Sequence, residues 1–211
     1  MQIVSPPKFI TGLYHSLEWA MPADLNKKIY LSFDDGPTPG VTDFVLNELD
    51  KRNAKATFFC IGKNILNEPS LFSSIVQAKH QIGNHTQHHV NGWKTNINKY
   101  VSEIATCHEV ISEYGYKFDE KPLFRPPYGK ITRAQIKAVK LNYRIIMWSI
   151  LAYDWLPEKT HHQCLKNVIS HLKKDAIIVM HDSVKASENV KKTLPTMLQM
   201  IQDKGYQFGL I

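Results

Sequence analysis

An α/β fold on a parallel sheet, open or closed, is what this sequence predicts, on three observations. Short apolar, β-branched runs alternate with amphipathic stretches along most of the chain. That alternation implies right-handed crossovers, which lay successive strands parallel. No repeat, low-complexity tract or linker interrupts it, so 211 residues form most economically one domain.

The elements follow in order. "MQIVSPPKFITGLYHSLEWAMP" sets Ile10, Leu13, Tyr14 and Leu17 at helical spacing, which predicts a short helix in an N-terminal segment, residues 1–26. This segment packs on a main domain of residues 27–211. Pro6-Pro7, Lys8, His15 and Glu18 break every apolar run there, so neither a signal peptide nor a membrane span is expected. That favours a cytoplasmic location, with export by another route left open.

Ile29–Phe33 is the first strand. Thr38 as cap and Pro39 in the first turn open a helix with Val41, Phe44, Val45 and Leu49 on one face. Ala56–Ile61 is the second strand, followed by a helical face of Leu71, Phe72, Ile75 and Val76. Gln81–Asn84 is the third, followed by Ile97, Val101, Ile104, Val110 and Ile111. Leu123–Arg125 is the fourth and Tyr143–Ile150 the fifth, with Ile136 and Val139 on the helix between them. Leu165, Val168, Ile169 and Leu172 lead to the sixth strand, Ala176–Met180. Val190, Leu194, Met197, Leu198 and Ile201 lead to the last, Tyr206–Ile211. Seven strands suit a doubly wound sheet or a barrel equally, and periodicity does not choose.

The composition, 43% hydrophobic and 21% charged, is that of an ordinary globular protein. The net charge of +7 is spread along the chain, with no Lys/Arg block interleaved with aromatics, so no nucleic-acid partner is expected. Cys60, Cys107 and Cys164 are odd in number and far apart, which speaks against a disulfide framework or a cysteine zinc site. Oligomeric state has no signal in the residues.

The unusual polar residues fall at strand ends. Asp34 and Asp35 follow the first strand, His85 follows the third, Arg125 ends the fourth, Asp154 comes past the fifth and His181 ends the sixth. In parallel α/β architectures the carboxyl ends of strands converge on one face. "GNHTQHHVNGW" places His85 and His89 four apart, a spacing that on a helical turn lets two imidazoles grip one cation, with His88 as a competing ligand. A carboxylate from another strand end completes a two-His-one-carboxylate set with positions open for water and substrate. One aspartate of Asp34-Asp35 then binds metal while its neighbour, turned away by a kink at Gly36-Pro37, acts as a base.

These residues resemble the polysaccharide deacetylase family, carbohydrate esterase family four, or nodulation-type deacetylase domain. "SFDDGP", "HTQHH", "FRPPYG", "DW" at Asp154-Trp155 and "IVMHD" resemble its five motifs, in family order from Ser32 to Asp182. The resemblance implies a distorted (β/α) barrel of about seven parallel strands. It implies a metal-dependent hydrolase that removes N-acetyl groups from an acetylated glycan or oligosaccharide. In that scheme Asp34 is the base, held by Arg125, and Asp35, His85 and His89 bind one divalent metal. The Tyr128 N–H faces the oxyanion. His181 is the acid, tuned by Asp154, and Trp155 and Val179 wall the acetyl pocket. Zinc is the expected metal by ligand type, with cobalt, nickel, iron and manganese compatible. Three positions depart from the family pattern: Leu151 replaces an acidic residue, Tyr153 a basic one and Ser32 a threonine. The first two alter the substrate groove.

Three other functions share some of these residues. A two-metal phosphoesterase needs more carboxylates, often a bridging one. A non-catalytic carbohydrate-binding relative, or a hydrolase of another acyl amide or ester, needs the same fold; the binding relative is expected to lose the base or the acid, and Asp34 and His181 are both present.

Overall fold

The computed structural model describes residues 3–118 and 121–211. Its strands are β1 (Lys28–Asp34), β2 (Thr57–Cys60), β3 (Gln81–Asn84), β4 (Leu123–Phe124), β5 (Arg144–Ile145), β6 (Ile150–Leu151), β7 (Ile177–His181) and β8 (Gln207–Gly209). Its helices are α1 (Lys8–Leu13), α2 (Thr42–Asp50), α3 (Gly62–Asn67), α4 (Pro69–Gln77), α5 (Ile97–Glu113), α6 (Arg133–Val139), α7 (His161–Ile169) and α8 (Ser187–Asp203).

Every strand pairing is parallel, in the order β5-β4-β3-β2-β1-β7-β6, and the sheet curls into a half-barrel. This is the distorted (β/α) barrel expected. β1 is central: β7 lies along one edge, while β2 and β8 share the other, β8 against Lys28–Tyr30 and β2 against Ser32–Asp34. Strand alternation sorts its side chains. Ile29, Leu31 and Phe33 pack outward into the main core beneath the helices, with Val45, Leu49, Leu194 and Leu198. Tyr30 packs on the other face with Phe59 and Ile177, and Ser32 and Asp34 follow it inward toward Arg125.

The half-barrel has a seam between β5 and β6, filled by the N-terminal segment. The Glu18 N–H donates to Ile145 O at 2.9 Å and Glu18 O accepts from Met147 N at 2.7 Å. Ser149 Oγ donates to Trp19 O at 2.7 Å, and Leu151 N to Val4 O at 2.9 Å. Glu18 also pairs with Arg144 at 2.6 Å. No helix among the described residues is long and apolar enough to cross a membrane.

Four local expectations differ from the structure. The predicted fifth strand is two short ones, β5 and β6, because the carbonyls of Ile146 and Met147 accept from the Arg125 side chain instead of a neighbouring strand. α2 starts at Thr42, not after Thr38: the Thr38 N–H donates to Thr42 Oγ1 and the Gly40 N–H to Asp43 Oδ2, which makes residues 38–41 a turn. The buried face of α5 runs through Tyr100, Ile104 and Cys107, leaving Ile97 and Val101 each 40% exposed. α3, a helix the apolar pattern did not announce, sits between β2 and α4.

Candidate active site

The site forms where the carboxyl ends of β1, β3, β4 and β7 meet. Asp34 is the last residue of β1 and points inward by strand alternation. Its Oδ1 accepts from Arg125 Nη1 at 2.6 Å, and the same nitrogen donates to Ser32 Oγ at 2.8 Å. Arg125 is wholly buried, its guanidinium 3.9 Å from the Phe59 ring centroid, with Nε and Nη2 donating to the carbonyls of Ile146 and Met147. A buried cation tolerates such a place only when paired and hydrogen-bonded. Arg125 therefore sits behind Asp34, not in the cleft, and fixes where that carboxylate points.

Asp35 leaves the strand with φ 79°, so the reversal that separates the two aspartates occurs at Asp35 itself, ahead of the cis Gly36-Pro37 bond. A side chain on Gly36 would overlap the carboxylate of buried Asp182, which comes close enough only because position 36 has none. Asp182 accepts from Thr42 Oγ1 at 2.6 Å, its N–H donates to Asp34 O at 3.1 Å, and burial pushes its carboxyl up to about 7. Asp182 falls within "IVMHD", but the contacts that give it a part here cross two strands and have no sequence signal. Asn64 on α3, equally silent in the sequence, donates its Nδ2 to Asp35 O at 2.7 Å.

His85 and His89 lie in an irregular loop, not on the helical turn their spacing suggested. Thr86 and His89 both take positive φ, 65° and 54°. The loop is pinned from outside: the Gly62 and Lys63 N–H groups of α3 donate to the carbonyls of Thr86 and Gln87, and Thr86 N donates to Asn84 Oδ1. His88 turns away to Glu103, at 3.1 Å, which removes it as a competing ligand. His85 Nε2 lies 3.5 Å and His89 Nε2 3.1 Å from Asp35 Oδ1.

These three residues fit a metal ion on the chemistry of their donors. His85 Nδ1 lies 2.8 Å from Arg125 O, and a carbonyl can only accept, so Nδ1 carries the hydrogen. In the neutral ring Nε2 then aims a lone pair at Asp35 Oδ1, a buried oxygen that receives no well-aligned hydrogen bond. Lone pairs converging on one point need a cation between them. With Nε2–H groups of the two rings turned on it instead, burial raises the Asp35 carboxyl but those donors and the field of His181 outweigh it and hold the group far below the carboxylate range.

Across the cleft, His181 Nδ1 lies 2.9 Å from Asp154 Oδ1, and the His181 N–H donates to Asp154 Oδ2 at 2.7 Å. The carboxylate fixes Nδ1 as a donor and leaves Nε2 as the other polar atom of the ring. Burial opposes charge on this imidazole, yet Asp154, with Asp35 and Asp34 beyond it, raises it to about 9. Trp155 packs on its ring at 4.5 Å between centroids. Asp154 is buried and, like Arg125, stands behind the group it orients.

A cleft of about 540 Å³ joins these parts. Asp34, Asp35, His85, His89 and His181 line it, as do Tyr128, Trp155 and Val179, all three groove residues read from the sequence. Tyr128 has φ 60°, and its hydroxyl lies 3.1 Å from His89 Nδ1. Leu151 also lines the cleft, whereas Tyr153 is turned to donate to Ile3 O at 3.0 Å.

Comparison with known proteins adds to this geometry. The polysaccharide deacetylase family model matches residues 23–146. The chain is 32% identical over 193 residues to the peptidoglycan-N-acetylglucosamine deacetylase PgdA of Listeria monocytogenes, covering 90% of this chain but only 39% of that protein. It is 31% identical over 195 residues to a peptidoglycan-N-acetylglucosamine deacetylase of Bacillus cereus, covering 90% of this chain and 88% of that one. The crystal structure of the Bc1960 peptidoglycan N-acetylglucosamine deacetylase with a hydroxamate-bearing ligand, 4-naphthalen-1-yl-N-oxidanyl-benzamide, superposes with a TM-score of 0.87 at 28% identity, covering 98% of this chain and 95% of that one. With its half-barrel, its strand-end site and these matches together, the chain belongs to the polysaccharide deacetylase family.

Proposed function

We propose that the protein is a metal-dependent hydrolase that removes N-acetyl groups from an acetylated glycan. One observation carries this reading: a three-donor cluster that can hold a single metal has an arginine-held carboxylate on one side and an aspartate-held imidazole on the other, within one cleft. Asp35, His85 and His89 would hold the metal, and zinc suits their donor types. A divalent ion there would polarise the amide carbonyl and lower the pKa of a water from 15.7 toward about 7.

The chain's own groups do the rest. Asp34, oriented by Arg125, takes a proton from the attacking water as oxygen adds to the carbonyl carbon. Charge growing on the carbonyl oxygen faces the Tyr128 N–H, which among the described residues has no backbone acceptor. His181 Nε2 gives its proton to the amine as the C–N bond breaks, so acetate and a free amino sugar leave. Trp155, Val179 and Leu151 offer an apolar wall that suits an acetyl methyl and not a phosphodiester. The set of three donors is one metal's worth, another point against two-metal phosphoesterase chemistry. The peptidoglycan deacetylases among its relatives make cell-wall N-acetylglucosamine the first substrate to try.

The test is acetate release from a panel of N-acetylated glycans by zinc- or cobalt-loaded wild type beside Asp34→Asn. Loss of the base is expected to cost about 10²–10⁴-fold in rate with the metal still bound. Equal rates in the two proteins, or hydrolysis of a phosphodiester in excess of any glycan, would overturn the reading.

A further inference from the structure

From the mouth of the cleft outward runs a row of side chains that the reaction does not use, the first two of them in the cleft wall. Tyr128 is at the mouth with its ring 4.5 Å from that of His89, and it is 60% exposed. Lys130 comes next, its ammonium 5.8 Å from the Tyr128 ring centroid and 5.4 Å from that of Trp93. Trp93 lies beyond it, 65% exposed, an unusual placement for the largest apolar side chain.

The row is fixed in advance. Trp93 Nε1 donates to Ile131 O at 3.3 Å, and its backbone N–H donates to Asn91 Oδ1 at 3.0 Å. Gly92 presses on the Lys130 carbonyl so closely that any side chain at 92 would overlap it. Gln135 Nε2 then ties Gly92 O and Thr95 O, both at 2.9 Å. Two loops from different strand ends are thereby locked into one surface. Trp93 Nε1 is satisfied by Ile131, but most of the indole face stays in water, where a sugar's C–H face would cover it. Lys130 pairs with no carboxylate among the described residues, so its charge is available between the two rings.

We infer that Trp93, Lys130 and Tyr128 form a subsite for the glycan beyond the residue being deacetylated, and that this subsite takes a sugar bearing a carboxylate. Trp93 supplies the stacking face and Lys130 the counter-charge. The inference rests on a glycan as substrate, and it narrows that class to acidic chains long enough to pass Tyr128.

Three probes test it with the metal-loaded protein: N-acetylglucosamine, its neutral tetrasaccharide, and an alternating tetrasaccharide in which muramic acid supplies the carboxylate. Trp93→Ala is expected to raise KM for both tetrasaccharides by about tenfold and to leave the monosaccharide unchanged. Trp93→Tyr restores most of the loss. Lys130→Gln raises KM for the carboxylate-bearing tetrasaccharide alone, by roughly twofold to fivefold, and added salt erases the difference. Calorimetric binding to Asp34→Asn, with and without Trp93→Ala, reads the same subsite without turnover. Weaker tetrasaccharide binding on loss of the indole upholds the subsite even if no acetate is released, in which case only the proposed reaction falls. Equal binding and equal KM in Trp93→Ala and its parent overturn the subsite. Equal effects of Lys130→Gln on neutral and acidic chains overturn the carboxylate preference.

Discussion

Asp34 and His181 are held by the same device, a fully buried partner that reaches no substrate. Arg125 spends its donors on a carboxylate, a hydroxyl and two carbonyls, and Asp154 spends both oxygens on one histidine. Each is a positioning residue, and the charge of Asp154 also favours the protonated form of His181. For His181 the sign follows directly: its pKa rises from 6.5 to about 9, so the imidazolium form persists below that value and is lost as pH climbs through it. The stability due to the His181–Asp154 pair is fully present below pH 6.5 and fades over the same climb. Activity should therefore have an alkaline limb no higher than about pH 9. A bound dication offsets the field of Asp35 and draws the limb lower. Asp154→Asn removes the main groups favouring the charged ring and should move the limb down by about one pH unit or more, alongside a fall in kcat. A pH–kcat profile checks this, and a limb that stays in place would show that His181 is not the acid. The polar residues were legible because each occupies a strand end, where a chain needs no charge for folding. The role of Asp182 was not, because its contact with Gly36 joins β7 to the turn after β1, residues far apart in sequence.

At the scale of elements, the turn after β1 decides whether the two aspartates can serve different tasks. Asp35 at positive φ directs one carboxylate to the histidines while β1 directs the other to Arg125. The turn is held from beneath by a relay: the Thr38 N–H donates to Thr42 Oγ1, which donates to Asp182 Oδ2, packed against Gly36. Gly36→Ala should therefore cost about 1–3 kcal/mol by overpacking and weaken metal binding as Asp35 shifts. Adding Asp182→Ala to the same chain opens the space and should recover part of the loss, which a double-mutant cycle in urea would measure. Strict additivity would mean that the two positions do not press on each other. Element existence was largely readable from periodicity, since alternating apolar runs report which face is buried. The split of the fifth strand was not readable, because its carbonyls are taken by Arg125, a side chain from β4's end. Nor was the loop shape of "HTQHH", where hydrogen bonds from α3 override a spacing that suits a helix equally well.

For the whole molecule, the open question in the sequence was whether seven strands close, and the answer is a half-barrel whose seam is filled by residues 4–21 instead of by strand pairing. Period and composition describe each element alone, so neither could say that the N-terminal segment completes the sheet. The cluster of Asp35, His85 and His89, which could hold a metal, has a comparable unifying place. Asp35 follows β1, His85 and His89 follow β3, and His85 is braced on the carbonyl that follows β4. An ion there would link ends that otherwise present lone pairs to one another, and it would bind only the folded chain. At a metal concentration about 1,000 times Kd, that linkage adds about 4 kcal/mol to stability. For a domain of this size each kcal/mol moves Tm by about 2–4 °C, so chelation should lower Tm by roughly 8–16 °C. Readdition of zinc should restore it. Asp35→Ala removes one ligand and should leave a protein whose Tm no longer responds to either treatment. A wild-type Tm that ignores chelation and metal alike would remove the metal from the site, and with it the single-metal chemistry proposed for Asp34 and His181.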